Sequence, residues 1–459
     1  MKNYTIAIIG AGPGGYVAAI RAAQKSAKVA LIEENFVGGV CLNEGCIPTK
    51  ILLSHAERLI KIQESKKFHI NVENISFDYP SIFKQKNQTI STIRKNVENL
   101  LRMNGVELIK AKASFTGPNT LQIGDETIQA EKIIIATGSS FSSLGDLPFD
   151  ETILSSSSLL DLEQLPKSLT IIGGGYIGCE FACMFAPFGV EITIVEAMPS
   201  IIPDQSPMIS QELTKNLLQQ NVKILTNTKV KKIEKNEKGA IVFTDKNEQI
   251  NSEKVLISIG RCCHLENLSL PSDIQIQDGF ISTNDSMQTN VDHIYAIGDV
   301  TGKAMLAHVA SHQAIVAVDH IFGSKEQMNY LAIPSAIFTH PQIASVGYTE
   351  EQAKEKSIEI ISAIYPYRAL GKAIASLETI GHAQIIADKK DHRIIGAHII
   401  GEKASELIGE MTLAITNKMK LEDIAHTIHP HPTLSEIWQE AAFVALDTPI
   451  NFPPKKRPL

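Results

Sequence analysis

The sequence predicts an α/β protein: two doubly wound, dinucleotide-binding units followed by a C-terminal α+β region. Three observations carry this. A strand, glycine turn, small-residue helix, second strand and acidic residue occur in that order near the N-terminus. The same series returns 163 positions later. From Ile333 onward, strand and helix patterns alternate without a further glycine turn.

The first unit reads Ile6–Ile9, then Gly10-Ala11-Gly12-Pro13-Gly14-Gly15, a helix through Ala23, the strand Val29–Ile32, and Glu33. Gly10 allows the tight turn, Gly12 lets backbone approach a pyrophosphate, and Gly15 lets helix pack on strand. The helix N-terminus faces the anion, and Glu33 can accept from ribose hydroxyls. The second unit repeats this as Leu169–Ile172, Gly173-Gly174-Gly175-Tyr176-Ile177-Gly178, and Ile192–Val195 with Glu196. One such turn is a weak signal, since glycine turns also arise from packing. Two Rossmann-like copies, each with its acidic partner, indicate two dinucleotides. Glu196 repels a 2′-phosphate, and Ala197-Met198-Pro199-Ser200 supplies no arginine to hold one, so the second site favours NAD over NADP.

Between the copies, Ser81–Met103 reads as a long amphipathic helix, and Lys132–Ile135 as a strand leading to Ala136-Thr137-Gly138. Serines 155–158 read as a loop near a boundary. Strands are expected around Val222–Leu225 and Ala240–Phe243, and Val255–Arg261 closes the second unit at Gly260. Ile294–Asp299 then leads into a helix from about Leu306 to Phe322. The expected division is 1–145, 146–265, 266–332 (a return to the first domain) and 333–459.

The 459 residues are 44% hydrophobic and 20% charged, ordinary for a globular protein, and the net charge of −7 recommends no nucleic-acid partner. The basic tail Pro453–Leu459 reads as a solvated terminus. A glycine loop follows the first apolar run at once, unlike a signal peptide, and no stretch has the roughly 18–20 apolar residues of a membrane span. The expected home is a reducing cytoplasm, where six cysteines are not a disulfide framework.

Cys41 and Cys46 lie five positions apart in Gly38-Gly39-Val40-Cys41-Leu42-Asn43-Glu44-Gly45-Cys46-Ile47-Pro48-Thr49-Lys50. Five helical residues rise roughly 7.5 Å, whereas disulfide Cα atoms lie about 4.4–6.8 Å apart. A pair here requires the backbone to leave ideal helix, which Gly45 permits. Pro48 fits a helical first turn, placing Cys46 just outside a helix N-terminus, where a thiolate is favoured. On these residues alone, a redox pair and two unrelated buried thiols both stand.

With this stretch between two dinucleotide units, the chain resembles the pyridine nucleotide–disulfide oxidoreductases from about Ile6 to Val444, most closely the branch that oxidises dihydrolipoamide. Cys41–Pro48 matches the redox motif. Tyr295–Val300 matches a flavin-contact motif in which Asp299 would bond the ribityl chain, and Met305-Leu306-Ala307-His308 is family-like. So are Phe338–Pro341 and Gly396–Gly401, followed by Glu406-Leu407-Ile408. His431-Pro432-Thr433-Leu434-Ser435-Glu436 matches the catalytic histidine motif. The resemblance implies that the first fingerprint, with Thr137 and Gly138, holds FAD and that the second holds NAD. It implies a homodimer through the C-terminal domain, each active site taking its histidine from the other subunit. The implied partners are a lipoylated domain of a 2-oxoacid dehydrogenase acyltransferase or the glycine cleavage H protein.

The resemblance also assigns roles. Cys41 meets substrate and Cys46 meets flavin. His431 is the base for the substrate thiol, Glu436 orients it, and Lys50 and Glu180 lie near the flavin N5 edge, Glu180 in the first turn of its helix. Thr433 and Glu436 also spell a capping box, so Glu436 has a backbone role to weigh against the catalytic one. His429 reads as a loop residue, Trp438 as packing, and Tyr176 as either a ring over the flavin or a helix-start residue. Cys262-Cys263-His264 replaces the usual residue–Pro–Asn; contiguous residues aim poorly at one ion, so these read as reduced thiols at a strand end and no metal is expected. His308 and His312 lie four apart but lack a third ligand. Glutathione-type reductases with NADPH fit Glu196 poorly, and reductases with a C-terminal cysteine group are excluded because no cysteine follows Cys263.

Overall fold

The computed structural model describes residues 1–145, 147–263 and 265–454. His264, the last residue of the Cys262-Cys263-His264 run, and the tail residues 455–459 lie outside the described residues. The chain divides into two compact units. One comprises Met1–Leu165 with Leu256–Met328, the other Pro166–Val255 with the chain from Asn329 onward.

The first unit is built on a parallel sheet in the order Glu107–Lys110, Val29–Glu33, Lys2–Ile9, Glu126–Ile135, with Ile294–Ala296 beside the last strand. Ile6–Ile9 and Ile133–Ile135 are buried continuous apolar runs, as strands covered on both faces must be. Gly10 has φ +99°, and a Cβ on Gly15 would stand 1.8 Å from the Gly10 carbonyl oxygen, so the turn demands glycine at both positions. Pro13 opens the helix Pro13–Gln24. Its Arg21 makes a two-pronged bond to Asp319 of the helix Ala307–Ile321, at 2.9 and 2.6 Å. Gly14 serves the same packing, since its Cβ would meet the Ala310 carbonyl and the Ile297 side chain.

The long amphipathic helix runs Tyr79–Met103 and starts two residues earlier than expected, because Asp78 caps it by accepting from Ser81 N–H at 3.2 Å. Serines 155–158 are not a loop. Ser155 and Ser158 form a reciprocal capping box that starts the short helix Ser156–Leu160. The run of small hydroxyls looked like loop composition, yet hydroxyls at N-cap and N3 are what a helix start requires.

In the second unit, Ser168–Ile172, Glu191–Val195 and Lys223–Leu225 pair in parallel, with Tyr176–Phe185 as the fingerprint helix. An antiparallel ribbon of Val230–Asn236, Gly239–Thr244 and Gln249–Ser252 follows, tied back by a Thr170–Ser252 hydroxyl pair. From residue 335 the chain forms a five-stranded antiparallel sheet in the order Ser335–Ile337, Gln342–Gly347, Ile394–Gly401, His382–Asp388, Ile360–Pro366. The helices Ala404–Thr416, Leu421–His426 and Glu436–Ala445 share a core with it around Trp438. Trp438 is fully buried and donates Nε1–H to the Leu407 carbonyl at 3.0 Å, the packing role its sequence position suggested. The C-terminal region is thus α+β.

Candidate active site

Each glycine fingerprint is closed by its acidic residue in the same way. Glu33 accepts Ala11 N–H at 2.7 Å and Asn35 N–H at 2.8 Å. Glu196 accepts Gly174 N–H at 2.6 Å and Met198 N–H at 2.7 Å. Both donor pairs are related by the same 163-residue offset as the carboxylates. A carboxylate has about four acceptor sites, so capacity for ribose hydroxyls remains.

Above each turn the protein leaves room. A Cβ on Gly12 would find its nearest atom 4.0 Å away, and one on Gly175 would find nothing within 4 Å. Neither following helix carries an acidic residue in its first turn, so nothing there opposes a pyrophosphate. Ile177 and buried Gly178 continue the second helix, and Tyr176, its first residue, is exposed.

The cysteine segment hangs on the first fingerprint. Gly38 N–H donates to the Ala11 carbonyl at 2.8 Å, and a Cβ on Gly39 would lie 2.8 Å from Gly12 Cα. Cys41 sits in the short helix Gly39–Asn43. Gly45, at φ −143° and ψ −102°, breaks it, and a second helix runs Cys46–Gln63. Cys46 is therefore the first helical residue rather than a flanking one, and Pro48 is the third. The dipole argument for negative charge at Cys46 is strengthened by that shift.

Both sulfurs are present as thiols. The Cys41 proton is held far more tightly than usual, first by its hydrogen bond to Cys46, then by burial and by the Cys46 charge, against an opposing pull from Lys50. Asp299 acts on the same thiol. Tyr16, which sequence reasoning passed over, also belongs here: burial and then the Cys41 charge push its phenol up. A tyrosine inside a glycine-rich helix start carries no motif of its own.

Asp299 accepts Ser139 Oγ–H at 2.5 Å, while Arg261 donates to Ser139 Oγ and to its carbonyl, both at 2.7 Å. Arg261 and Ser139 were likewise unforeseen, because the contact joins positions 122 residues apart. Thr137 and Gly138 (φ +72°) lie just past the strand that ends at Ile135, and the Gly138 carbonyl accepts the Cys263 thiol at 3.3 Å. Burial, then Asp299, pushes that thiol up to about 11. Cys262 turns instead to the Phe141 carbonyl at 3.7 Å, so the neighbouring thiols serve different acceptors. Among the described residues no group of three or more His, Cys, Asp or Glu is placed to hold a metal ion. Met305 and Leu306 lead into the helix that begins at Ala307 and His308, with Leu306 as its N-cap. Gly260, at φ +127°, belongs to the first unit, where its carbonyl accepts Ser142 N–H at 3.1 Å.

In the second unit Glu180 is buried and accepts Phe338 N–H at 2.8 Å. It is the fifth residue of its helix, beyond the first turn where it was expected. Lys50 is in the first unit, on the helix that begins at Cys46.

His431 is 76% exposed at its side chain, and its Nδ1 lies 2.8 Å from Glu436 Oε1. Glu436 Oε2 accepts Thr433 N–H at 2.9 Å. The expected capping box is only half realised. The helix begins at Glu436 itself, and Thr433 Oγ1 turns to the Pro430 carbonyl at 2.7 Å. Burial opposes ionisation of Glu436, but the His431 ring, the Thr433 amide and the nearby His429 outweigh it and hold its carboxyl below the usual range. His429 is a loop residue, as the sequence suggested, lying between the helices Leu421–His426 and Glu436–Ala445. Its side chain is 4% exposed, with Nε2 2.8 Å from Glu410 Oε1 and Nδ1 3.0 Å from the Thr427 carbonyl. Both ring nitrogens face acceptors, an arrangement that favours the doubly protonated ring, and the Glu410 hydrogen bond raises its proton affinity.

Two dinucleotide turns, a contacting thiol pair beside one of them, and a carboxylate-held imidazole define a nucleotide-linked disulfide oxidoreductase. Residues 4–314 match the pyridine nucleotide-disulphide oxidoreductase family and residues 333–442 its dimerisation domain. The chain is 44% identical to a dihydrolipoyl dehydrogenase of Chlamydia pneumoniae, covering 99% of both chains. It is 41% identical to one of Bacillus subtilis, covering 97% of both. Among solved structures, the HOCl-induced flavoprotein disulfide reductase RclA of Escherichia coli superposes with TM-score 0.84 at 28% identity, over 96% of this chain and 99% of that one. LpdA of Mycobacterium tuberculosis has the same fold, with TM-score 0.89 at 24% identity, over 96% and 99%.

The chain belongs to the pyridine nucleotide-disulphide oxidoreductase family and, within it, to the dihydrolipoyl dehydrogenases. FAD and NAD are its cofactors, and the dimerisation domain supports a homodimer. Among the described residues no helix is long and apolar enough to cross a membrane.

Proposed function

We propose that this enzyme oxidises protein-bound dihydrolipoamide to lipoamide with NAD⁺ as acceptor. The observation that carries the reading is the His431–Glu436 pair: an imidazole turned to solvent, with one nitrogen fixed by a carboxylate. Because Glu436 accepts, Nδ1 carries the proton and Nε2 is left as the base.

His431 Nε2 takes the proton of the first substrate thiol, and Glu436 stabilises the resulting imidazolium. The substrate thiolate attacks Cys41 of the oxidised Cys41–Cys46 disulfide, releasing Cys46 as thiolate at its helix N-terminus. The second substrate thiol then displaces Cys41, giving lipoamide and the dithiol. The residues around Gly10, Gly12, Gly14, Gly15, Glu33 and Asp299 would hold FAD, whose chemistry when bound would be to relay an electron pair from the dithiol to NAD⁺ as hydride. Lys50 and Glu180 serve the flavin edge. Gly173, Gly175, Gly178, Glu196 and Gly260 serve the nicotinamide nucleotide.

We assign 1–145 and 266–332 to the FAD domain, 146–265 to the NAD domain and 333–459 to the dimer domain, whose His431 serves the partner's cysteines. The substrate carrier is a lipoylated acyltransferase domain or the glycine cleavage H protein, and the compartment is the cytoplasm. The offset fingerprints, the thiol pair and the relatives of equal length support these assignments. An anaerobic assay with dihydrolipoamide and NAD⁺ tests the function: absence of turnover in fully flavin-loaded enzyme would overturn it.

A further inference from the structure

The turn between the redox cysteines is held from two sides, and the chemistry above uses neither hold. On one side, Arg94 of the helix Tyr79–Met103 donates Nε–H to Asn43 Oδ1 at 2.8 Å, with its guanidinium 3.8 Å from the centre of the Phe36 ring. Asn43 spends its amide N–H groups on the Val37 and Gly39 carbonyls, at 3.1 and 2.8 Å, so its oxygen is fixed in place for Arg94. On the other side, Ser157 donates Oγ–H to Glu44 Oε2 at 2.8 Å, a charge-assisted bond.

Ser157 is itself fixed. Its short helix is capped at the start by Ser155 and Ser158. At its end it is met by Lys86, which is 1% exposed and donates Nζ–H to the Leu160 carbonyl at 2.5 Å. Burial lowers the Lys86 proton affinity, and Asp161 partly offsets that. Lys86 and Arg94 stand about 12 Å apart along one helix. A single rigid element thus governs both Asn43 and Glu44, the middle of the segment joining Cys41 to Cys46.

We propose that Arg94 and Ser157 are positioning residues for the Cys41–Cys46 couple, holding the dithiol in the geometry of the disulfide and so favouring the oxidised form. The proposal rests on the reading of these two cysteines as the redox pair. In the disulfide, the S–S bond restrains Leu42–Gly45 by itself. In the dithiol that restraint is gone, and the chain regains freedom unless something else holds the turn. Arg94 and Ser157 withhold that freedom from the dithiol alone. The exchange is balanced: lipoamide disulfide plus the Cys41/Cys46 dithiol gives dihydrolipoamide plus the protein disulfide, two electrons and two protons moving together.

The test equilibrates flavin-loaded enzyme anaerobically across dihydrolipoamide:lipoamide ratios, quenches in acid, alkylates, and counts dithiol in the Cys41–Cys46 peptide by mass. Arg94→Met and Ser157→Ala should reach half-conversion at a ratio lower by roughly five- to thirtyfold, the freedom of one backbone residue. Ser157→Thr, which keeps the hydroxyl, should retain the wild-type midpoint. Midpoints of Arg94→Met and Ser157→Ala that coincide with wild type, or move the other way, overturn the proposal; a purely structural role would lower the melting temperature and leave the midpoint in place. Should Arg94→Met not fold, the Ser157 pair decides. A wild-type peptide that never interconverts would instead overturn the redox reading itself.

Discussion

Glu436 divides its carboxylate between His431 Nδ1, at 2.8 Å from Oε1, and Thr433 N–H, at 2.9 Å from Oε2. One side chain therefore fixes both the tautomer of the base and the loop that carries it. His431→Gln should lower dihydrolipoamide oxidation by about 10²–10⁴-fold while hydride exchange between two nicotinamide nucleotides stays largely intact. Equal losses in the two assays would remove the base role. Because the Glu436 carboxyl is held below the ordinary glutamate range, its contribution is complete above that range and is lost as pH falls through its depressed folded value.

Cys46→Ser should abolish turnover and leave FAD bound, because the residues proposed to hold the flavin are the glycine turn, Glu33 and Asp299 rather than the sulfur. Retained lipoamide turnover in that variant would refute the disulfide mechanism. The absorbance spectrum of the purified variant reports the flavin independently.

The glycines separate two kinds of damage. Gly15→Ala places a methyl 1.8 Å from a backbone oxygen and should disrupt the first unit, read as loss of bound FAD and a lowered melting temperature. Gly175→Ala meets no protein atom within 4 Å and should leave the melting temperature of the nucleotide-free enzyme unchanged while weakening NADH binding, measured by titration. A large drop in stability from Gly175→Ala would show that its turn is structural only.

His429 predicts a pH dependence of opposite sign to Glu436. Its proton affinity is raised, first by the Glu410 hydrogen bond, so the stability it adds is fully present below the ordinary histidine value and fades as pH rises through the raised folded value. Thermal melts of wild type and His429→Gln across pH 5.5 to 9, about one unit either side of an ordinary histidine and beyond, should show the widest gap at the acid end. A gap that widens toward alkaline pH would contradict the raised proton affinity of the ring.

Much of the site was legible because its signals are local. Gly10 to Gly15, Gly173 to Gly178 and Cys41 to Cys46 each act within one turn of chain, where backbone sterics dictate the residue type. The unforeseen residues act across distance. Arg261 meets Ser139, Arg94 meets Asn43, and His429, in a loop, meets Glu410 on the helix Ala404–Thr416. The reading of serines 155–158 as loop failed for a different reason: hydroxyls favour both turns and helix starts, and only the chain that follows decides between them.

By itself the sequence determined the two dinucleotide turns and their acidic partners, because glycine and carboxylate at those spacings answer to covalent geometry and short-range chemistry; the redox reading of Cys41 and Cys46 came with the family resemblance. Only the tertiary structure decided that Cys46 opens its helix, that Glu436 serves ring and backbone at once, and that the Asn43–Glu44 turn is clamped from outside. Those outcomes depend on which distant donors the packed helices bring within hydrogen-bond reach, and spacing along the chain carries no record of that.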